Sequence, residues 1–147
     1  MNDQGPLVRR HLKIGWWTLC LWLTLGIALE VLHALKLGWY LDVGSETRRF
    51  LFTLAHAHGT LLALIHLGYA ATLRRLAATK LVRAAGSLLS IASLLLPTGF
   101  LLGGVRIYGG DPGPGIFLVP VGALALLAGV LSVALAVTRA PPADGAP

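Results

Sequence analysis

The chain has 147 residues, of which 56% are hydrophobic and only 12% charged, and its mean hydropathy is +0.76. A soluble domain carries about 25% charged residues, so this composition excludes an ordinary water-soluble fold and indicates an integral membrane protein. The net charge of +6 does not indicate nucleic-acid binding, because the basic residues lie at the ends of apolar runs and no nucleic-acid-binding motif is present.

Four apolar stretches are long enough to cross a bilayer, which takes about 20 helical residues. They cover residues 14–35, 50–73, 84–105 and 116–137. Short polar connections separate them, as expected for antiparallel neighbours in a bundle. The sequence therefore predicts an all-α polytopic membrane four-helix bundle over residues 14–138. Residues 1–13 are expected to be irregular or to lie along the membrane interface, and the tail 139–147 is expected to be disordered.

Basic residues are divided unequally between the two sides of these spans. Eight of the twelve lie on the side of the termini: Arg9, Arg10, Lys13, Arg74, Arg75, Lys80, Arg83 and Arg139. The other side has Lys36, Arg48, Arg49 and Arg106. Because Lys and Arg are enriched in cytoplasmic loops, both the N-terminus and the C-terminus are expected to be cytoplasmic.

Small residues recur where neighbouring helices are able to approach closely. They are Gly26, Gly59, Ala63, Gly122, Gly129 and the G-x-x-x-G pair Gly99 and Gly103. Pro97 and Pro120 each lack an N–H group, so each is expected to bend its helix or to lie near its start. The glycine-rich segment 103–115 is expected to form tight turns.

Ionisable residues of the first two spans lie at a common depth. A helix rises by about 1.5 Å per residue. Counted inwards from the outer ends of their spans, Glu30 and His33 lie ~8 and ~3 Å deep, and His56 and His58 lie ~9 and ~12 Å deep. Glu30 and His33 share a helix face, whereas His56 and His58 are about 200° apart and cannot face the same neighbour. One of these two histidines, His56 by preference, is expected to join Glu30 and His33.

This cluster has the chemistry of a transition-metal site. In a first interpretation, Glu30, His33 and either His56 or His58 bind a metal ion, since imidazole and carboxylate groups bind Zn, Cu, Fe or Ni. The E-x-x-H spacing also occurs in metal sites of helical bundles. Asp111 in the outer loop is a candidate for completing a mononuclear site.

A b-type haem is the second interpretation. His33 and one of the two second-span histidines would then be its axial ligands, because they lie at similar depth on adjacent spans. The haem propionates would pair with Arg48, Arg49 or Arg106.

The third interpretation is structural. Glu30 would form one buried ion pair or hydrogen bond with a histidine, because an isolated charge in hydrocarbon is costly. The protein would then be an accessory or assembly subunit of a membrane complex. A proton or ion relay, or transport by an oligomer, is a further alternative. The chain has no nucleophile–base pair, so whether it is an enzyme stays open.

His66 lies ~24 Å from the outer end of its span, too deep for the same site. It is expected to hydrogen-bond a neighbouring helix. The candidate partners are the hydroxyl groups of the third span: Ser87, Ser90, Ser93 and Thr98.

The run TLAHAHGTLLAL, residues 53–64, resembles the second helix of the catalytic subunit of haem–copper oxidases. In that family a histidine after a small residue ligates low-spin haem, and His56 is the matching position. The partner histidine of the family comes from a much later helix, and this chain has only four spans. The resemblance therefore implies a second ligand from His33, His58 or another chain.

The four-span layout, with GFLLGG at residues 99–104 and VPVGALALLAG at 119–129, is similar to small uncharacterised four-helix bacterial inner-membrane proteins. This resemblance implies a fold and a location in the bacterial inner membrane, without an activity. The expected partners are the lipid bilayer and either further copies of the chain or the other subunits of a larger membrane complex.

Overall fold

The computed structural model describes residues 4–140, and these form an all-helical protein. Its helices are α1 (Gly5–Ala34), α2 (Gly38–Leu41), α3 (Glu46–Leu73), α4 (Lys80–Val105) and α5 (Leu118–Thr138). Short 3-10 turns at Val43–Ser45 and Pro114–Phe117 precede α3 and α5. Helices α1, α3, α4 and α5 are long and apolar enough to cross a membrane, which confirms the predicted all-α class with four long spans. Residues 1–3 and most of the tail predicted to be disordered, residues 141–147, lie outside the described residues.

The long helices pack in series, α1 on α3, α3 on α4 and α4 on α5. At one end of the bundle, Leu7 of α1 and Ala136 of α5 contact a buried cluster that contains Leu73 and Val82. We call this the proximal end; it includes the start of α1, the α3–α4 connection and the end of α5. The distal end holds the other two connections. Consecutive long helices are therefore antiparallel.

Helix α1 begins well before the predicted start of the first span at residue 14. Pro6 lies in its first turn, where the missing N–H group is not needed, and nothing up to Ala34 breaks the helix. The buried residues of α1 recur at helical spacing: His11, Gly15, Trp22 and Leu29. The prediction of irregular structure in the first dozen residues is thus wrong from Gly5 onwards. The basic residues that ended the apolar run lie on the exposed face of the same helix.

Helix α1 ends in a Schellman motif, which turns the chain towards α2. The N–H groups of Lys36 and Leu37 donate to the carbonyl groups of His33 and Leu32, at 3.1 and 3.3 Å. Lys36 takes the left-handed position of this motif, with a φ of 50°. The turn brings the ring of Tyr40 in α2 edge-on to that of His33, with 5.7 Å between their centroids.

A short hairpin connects α4 and α5. Its strands β1 (Ile107–Tyr108) and β2 (Asp111–Pro112) pair antiparallel. Gly109 and Gly110 between them have φ angles of 57° and 93°, and a two-residue type I′ turn requires positive φ at both positions. The predicted tight turns are confirmed. Pro120 lies in the first turn of α5, as one of the two predicted alternatives, whereas Pro97 lies inside α4.

Helix–helix contacts depend on small residues, as predicted. A Cβ atom added at Gly59 would lie 2.2 Å from the ring of Trp22, and one at Gly122 would lie 2.7 Å from the backbone of Leu96. Gly99 of α4 similarly faces Val119 at the start of α5. The glycines therefore set how closely α1 approaches α3 and α5 approaches α4.

Candidate functional site

A cleft of about 260 Å³ lies between α1, α2 and α3 at the distal end. We call it the distal cleft; its lining residues are Gly26, Leu29, Glu30, His33, Tyr40, Thr53 and His56. The structure therefore brings three of the four predicted site residues around one space. The fourth, His58, does not line it.

His58 faces a different neighbour from His56, because the two residues lie about 200° apart around the helix axis. Its Nδ1 lies 2.9 Å from the carbonyl oxygen of Leu54, one turn earlier in α3. Its ring packs against Phe100 of α4, with 4.9 Å between the ring centroids. In this structure His58 is a packing residue between α3 and α4.

The backbone of α1 orients His56. Its Nδ1 lies 2.7 Å from the carbonyl oxygen of Trp22. A carbonyl group only accepts hydrogen bonds, so Nδ1 carries the hydrogen and donates it. In the neutral ring, Nε2 then keeps a free lone pair. The ring fits against α1 because Gly26 has no side chain; a Cβ atom there would lie 2.4 Å from Cε1 of His56.

Glu30 and His33 are exposed at the end of α1. The Glu30 side chain is therefore not enclosed by the neighbouring helices. Within residues 4–140, no three His, Cys, Asp or Glu side chains lie close enough together to hold a metal ion. Glu30 and His33 therefore line the cleft with His56 without forming a closed ligand set.

Two arginines at the distal end, Arg48 and Arg49, donate hydrogen bonds to backbone carbonyl groups. Arg48 donates to the carbonyl oxygen of Gly104 at 3.3 Å and to the hydroxyl of Ser45 at 3.0 Å. Arg49 donates to the carbonyl oxygen of Tyr40 at 3.0 Å. These contacts tie the α1–α3 connection to α3 and to the end of α4. Arg48 and Arg49, two of the three candidate partners of haem propionates, are thus held by the backbone at the distal end.

A second polar group lies inside the proximal half of the bundle, and of its contacts the sequence predicted only the one between His66 and a third-span hydroxyl group. His11 of α1 and His66 of α3 are both 0% exposed. Their Nδ1 atoms are 2.7 Å apart, and Nε2 of His66 is 2.8 Å from Oγ of Ser93 in α4. The two rings stack with 4.9 Å between centroids. We call His11, His66 and Ser93 the buried triad; it links three helices.

The proton positions in the buried triad follow from its contacts. Only one of the two facing Nδ1 atoms can carry a hydrogen. Nε2 of His11 has no hydrogen-bond partner among the described residues. A buried N–H group without an acceptor is rare, so we assign the hydrogen of His11 to Nδ1. His11 then donates to His66, and His66 donates from Nε2 to Ser93.

The sequence analysis predicted a partner for His66 on the third span, and Ser93 is that partner. Ser87 and Ser90 instead donate back to carbonyl groups of their own helix, at 3.3 and 2.9 Å. His11 was overlooked because it lies among basic residues before the apolar run. The sequence held no signal for this pairing, because the common distance of ~10 Å from the proximal end is seen only once α1 is known to begin at Gly5.

Comparisons with known protein families, with curated proteins and with solved structures give no match for this chain. The resemblances to haem–copper oxidases and to small inner-membrane proteins therefore remain expectations from the sequence.

Proposed function

We propose that this protein is a multi-pass protein of a bacterial inner membrane that binds a transition-metal ion in the distal cleft. Both termini are cytoplasmic in this proposal, so the cleft opens outwards. The observation that carries it is the hydrogen bond from Nδ1 of His56 to the carbonyl oxygen of Trp22. Metal-ligating histidines typically donate their other N–H group to a carbonyl or carboxylate, which fixes the tautomer and the ring orientation.

His56 is the anchored ligand of the proposed site, and Glu30 and His33 are its mobile ones. Both mobile side chains line the same cleft as His56 and are exposed, so they have room to rotate towards a bound ion. Two imidazoles and one carboxylate are a donor set that suits Zn, Cu, Fe or Ni. Water completes the coordination on the open side of the cleft.

The size of the cleft favours a metal ion over a b-type haem. Its volume of about 260 Å³ is below the range of about 300–1,000 Å³ typical of pockets for organic ligands. The haem interpretation is therefore the second form of this proposal.

An accessory or assembly subunit is the second candidate function. The buried triad favours it, because its two imidazoles serve contacts between helices and are fully buried. In that case the distal cleft would bind nothing, and the polar groups would only determine packing.

Metal content after purification in detergent tests the proposal. We expect close to one transition-metal ion per wild-type chain, either as isolated or after titration with Zn²⁺, Cu²⁺ or Ni²⁺. His56→Gln is expected to weaken binding more than about tenfold, since it removes the anchored ligand. Glu30→Gln is expected to weaken it less.

His58→Gln is the matched control, because His58 lies two residues away on the same helix and faces α4. It should bind metal like the wild type. A Soret band lost in His56→Gln would identify haem instead. Absence of both metal and haem, or equal losses in His56→Gln and His58→Gln, would overturn the proposal in favour of the accessory subunit.

A further inference from the structure

The proximal end of the bundle is strongly cationic. Eight exposed basic residues lie there: Arg9, Arg10, Lys13, Arg74, Arg75, Lys80, Arg83 and Arg139. All acidic residues between residues 4 and 140 lie towards the distal end instead: Glu30, Asp42, Glu46 and Asp111. Within the described chain, no carboxylate compensates the positive charge of the proximal end.

A groove crosses this end between the α3–α4 connection and the last turns of α5. It consists of two adjoining cavities of about 360 and 950 Å³, which share Arg75, Leu76 and Ala140. Arg139 lines the smaller cavity, and Arg74 lines the larger one. We call this the proximal groove.

The walls of the proximal groove are apolar. Ala136 and Val137, in the last turns of α5, line one side, and Leu76 and Val82 lie on the other. Leu76 and Val82 are buried within the bundle. The groove therefore combines a cationic rim with a hydrocarbon-like wall.

The start of α4 adds to the positive potential. Thr79 lines the groove and caps this helix, since its hydroxyl accepts a hydrogen bond from the N–H of Val82 at 3.2 Å. The first turn of α4 contains no acidic residue. The partial positive charge of a helix N-terminus favours anions, and here nothing in that turn opposes it.

We propose that the proximal groove binds an anionic phospholipid of the cytoplasmic leaflet. The lipid phosphate contacts Arg75 and Arg139, because guanidinium groups match phosphate oxygens with paired hydrogen bonds. An acyl chain lies along Ala136 and Val137. Basic pockets between membrane helices on the cytoplasmic side are characteristic binding sites of acidic lipid headgroups. The inference rests on the proposed membrane orientation and is independent of metal binding.

Thermal unfolding of the full chain in a neutral detergent tests this inference. Added phosphatidylglycerol or cardiolipin is expected to raise the Tm in a saturable manner, because a ligand of the folded state stabilises it by mass action. Phosphatidylcholine and inorganic phosphate at equal concentration should leave the Tm unchanged. The double variant Arg75→Gln/Arg139→Gln is expected to need at least about tenfold more anionic lipid for the same shift.

Arg106→Gln is the matched control, an exposed arginine at the distal end, and it should respond like the wild type. Native mass spectrometry provides a second readout, with one lipid retained per wild-type chain and less on Arg139→Gln alone. An undiminished shift in the double variant, an equal shift with phosphatidylcholine, or an equal shift with phosphate would overturn the inference. The lipid response should persist in chelator and in His56→Gln, so its failure is distinguishable from failure of the metal site.

Discussion

His66 is the residue on which the buried triad depends, because it contacts both His11 and Ser93. Without His66, neither ring nitrogen of His11 would have a hydrogen-bond partner, although the His11 side chain is 0% exposed. The Ser93 hydroxyl would be less affected, since a serine in a helix can donate to a carbonyl of the preceding turn. Loss of His66 removes both hydrogen bonds of the buried triad, whereas loss of the Ser93 hydroxyl removes one, so loss of His66 should be the more harmful.

We expect Ser93→Ala to lower the free energy of unfolding by about 0.6–1.7 kcal/mol, the range of hydrogen bonds between membrane helices. His66→Leu should cost more, by a further ~1–3 kcal/mol, because it removes both hydrogen bonds of the triad and leaves both ring nitrogens of the buried His11 unpaired. The double variant His11→Leu/His66→Leu should be more stable than His66→Leu, because no unpaired group remains. Unfolding in detergent measures all three variants, and a double variant that is no more stable than His66→Leu would contradict this account.

The separation of His56 from His58 was predictable, because it follows from helical geometry alone. The pairing of His11 with His66 was not, because the two residues belong to different helices and their contact depends on how α1 and α3 pack. The selection of Ser93 among several hydroxyl groups likewise required the structure. The depth and the helix faces of the distal cleft were therefore predictable, as was a hydroxyl partner for His66, whereas the place of His11 in the buried triad was not.

Contact between α1 and α3 is controlled by glycines that face large rings. Gly59 lies under the ring of Trp22, and Gly26 lies under the ring of His56. A methyl group at either position would overlap ring atoms, so the ring or the helix would have to shift. The distance between α1 and α3 is therefore determined by one glycine on each helix.

Gly59→Ala is expected to destabilise the protein by about 1–3 kcal/mol, the usual cost of overpacking. Gly68→Ala is the matched control on the same helix, since nothing lies within 4 Å of a Cβ atom there. It should be neutral or stabilising by up to about 1 kcal/mol, because Ala favours helix over Gly. Thermal unfolding compares the two variants. Equal effects would show that the contact between Gly59 and Trp22 does not limit packing.

The four long helices were predictable, because a length of apolar sequence that crosses a membrane is a strong signal. The start of α1 at Gly5 was not predictable, because basic residues on the exposed face of a helix lower the mean hydropathy of that segment. The two strands of the hairpin between α4 and α5 were also not predictable from the sequence pattern. Each strand contains only two residues, too few for an alternating pattern to be recognised.

Charge and connectivity of the whole chain together predict a single orientation in the membrane. Cys20 is the only cysteine of the chain, so a Cys20→Ser background leaves room for single reporter cysteines. The exposed positions Tyr108 in the hairpin and Ala78 in the α3–α4 connection report on opposite ends.

A membrane-impermeant maleimide is expected to label Tyr108→Cys in intact cells and Ala78→Cys only after permeabilisation. The physical reason is the retention of basic residues on the cytoplasmic side. The reverse pattern would show that the termini face outwards. Labelling of both positions in intact cells would show mixed orientations.

In the proposed orientation, the segregation of acidic residues also bears on membrane voltage. Among the described residues, four basic and four acidic residues lie towards the distal end, so their charges cancel, whereas the eight basic residues of the proximal end have no acidic counterpart. Moving one charge across a potential of about 100 mV costs ~2.3 kcal/mol. In that orientation, translocating the distal connections would move no net charge, whereas inverting the protein would carry the basic residues of the proximal end against the potential of a cell that is negative inside. The potential would therefore oppose only the inverted insertion.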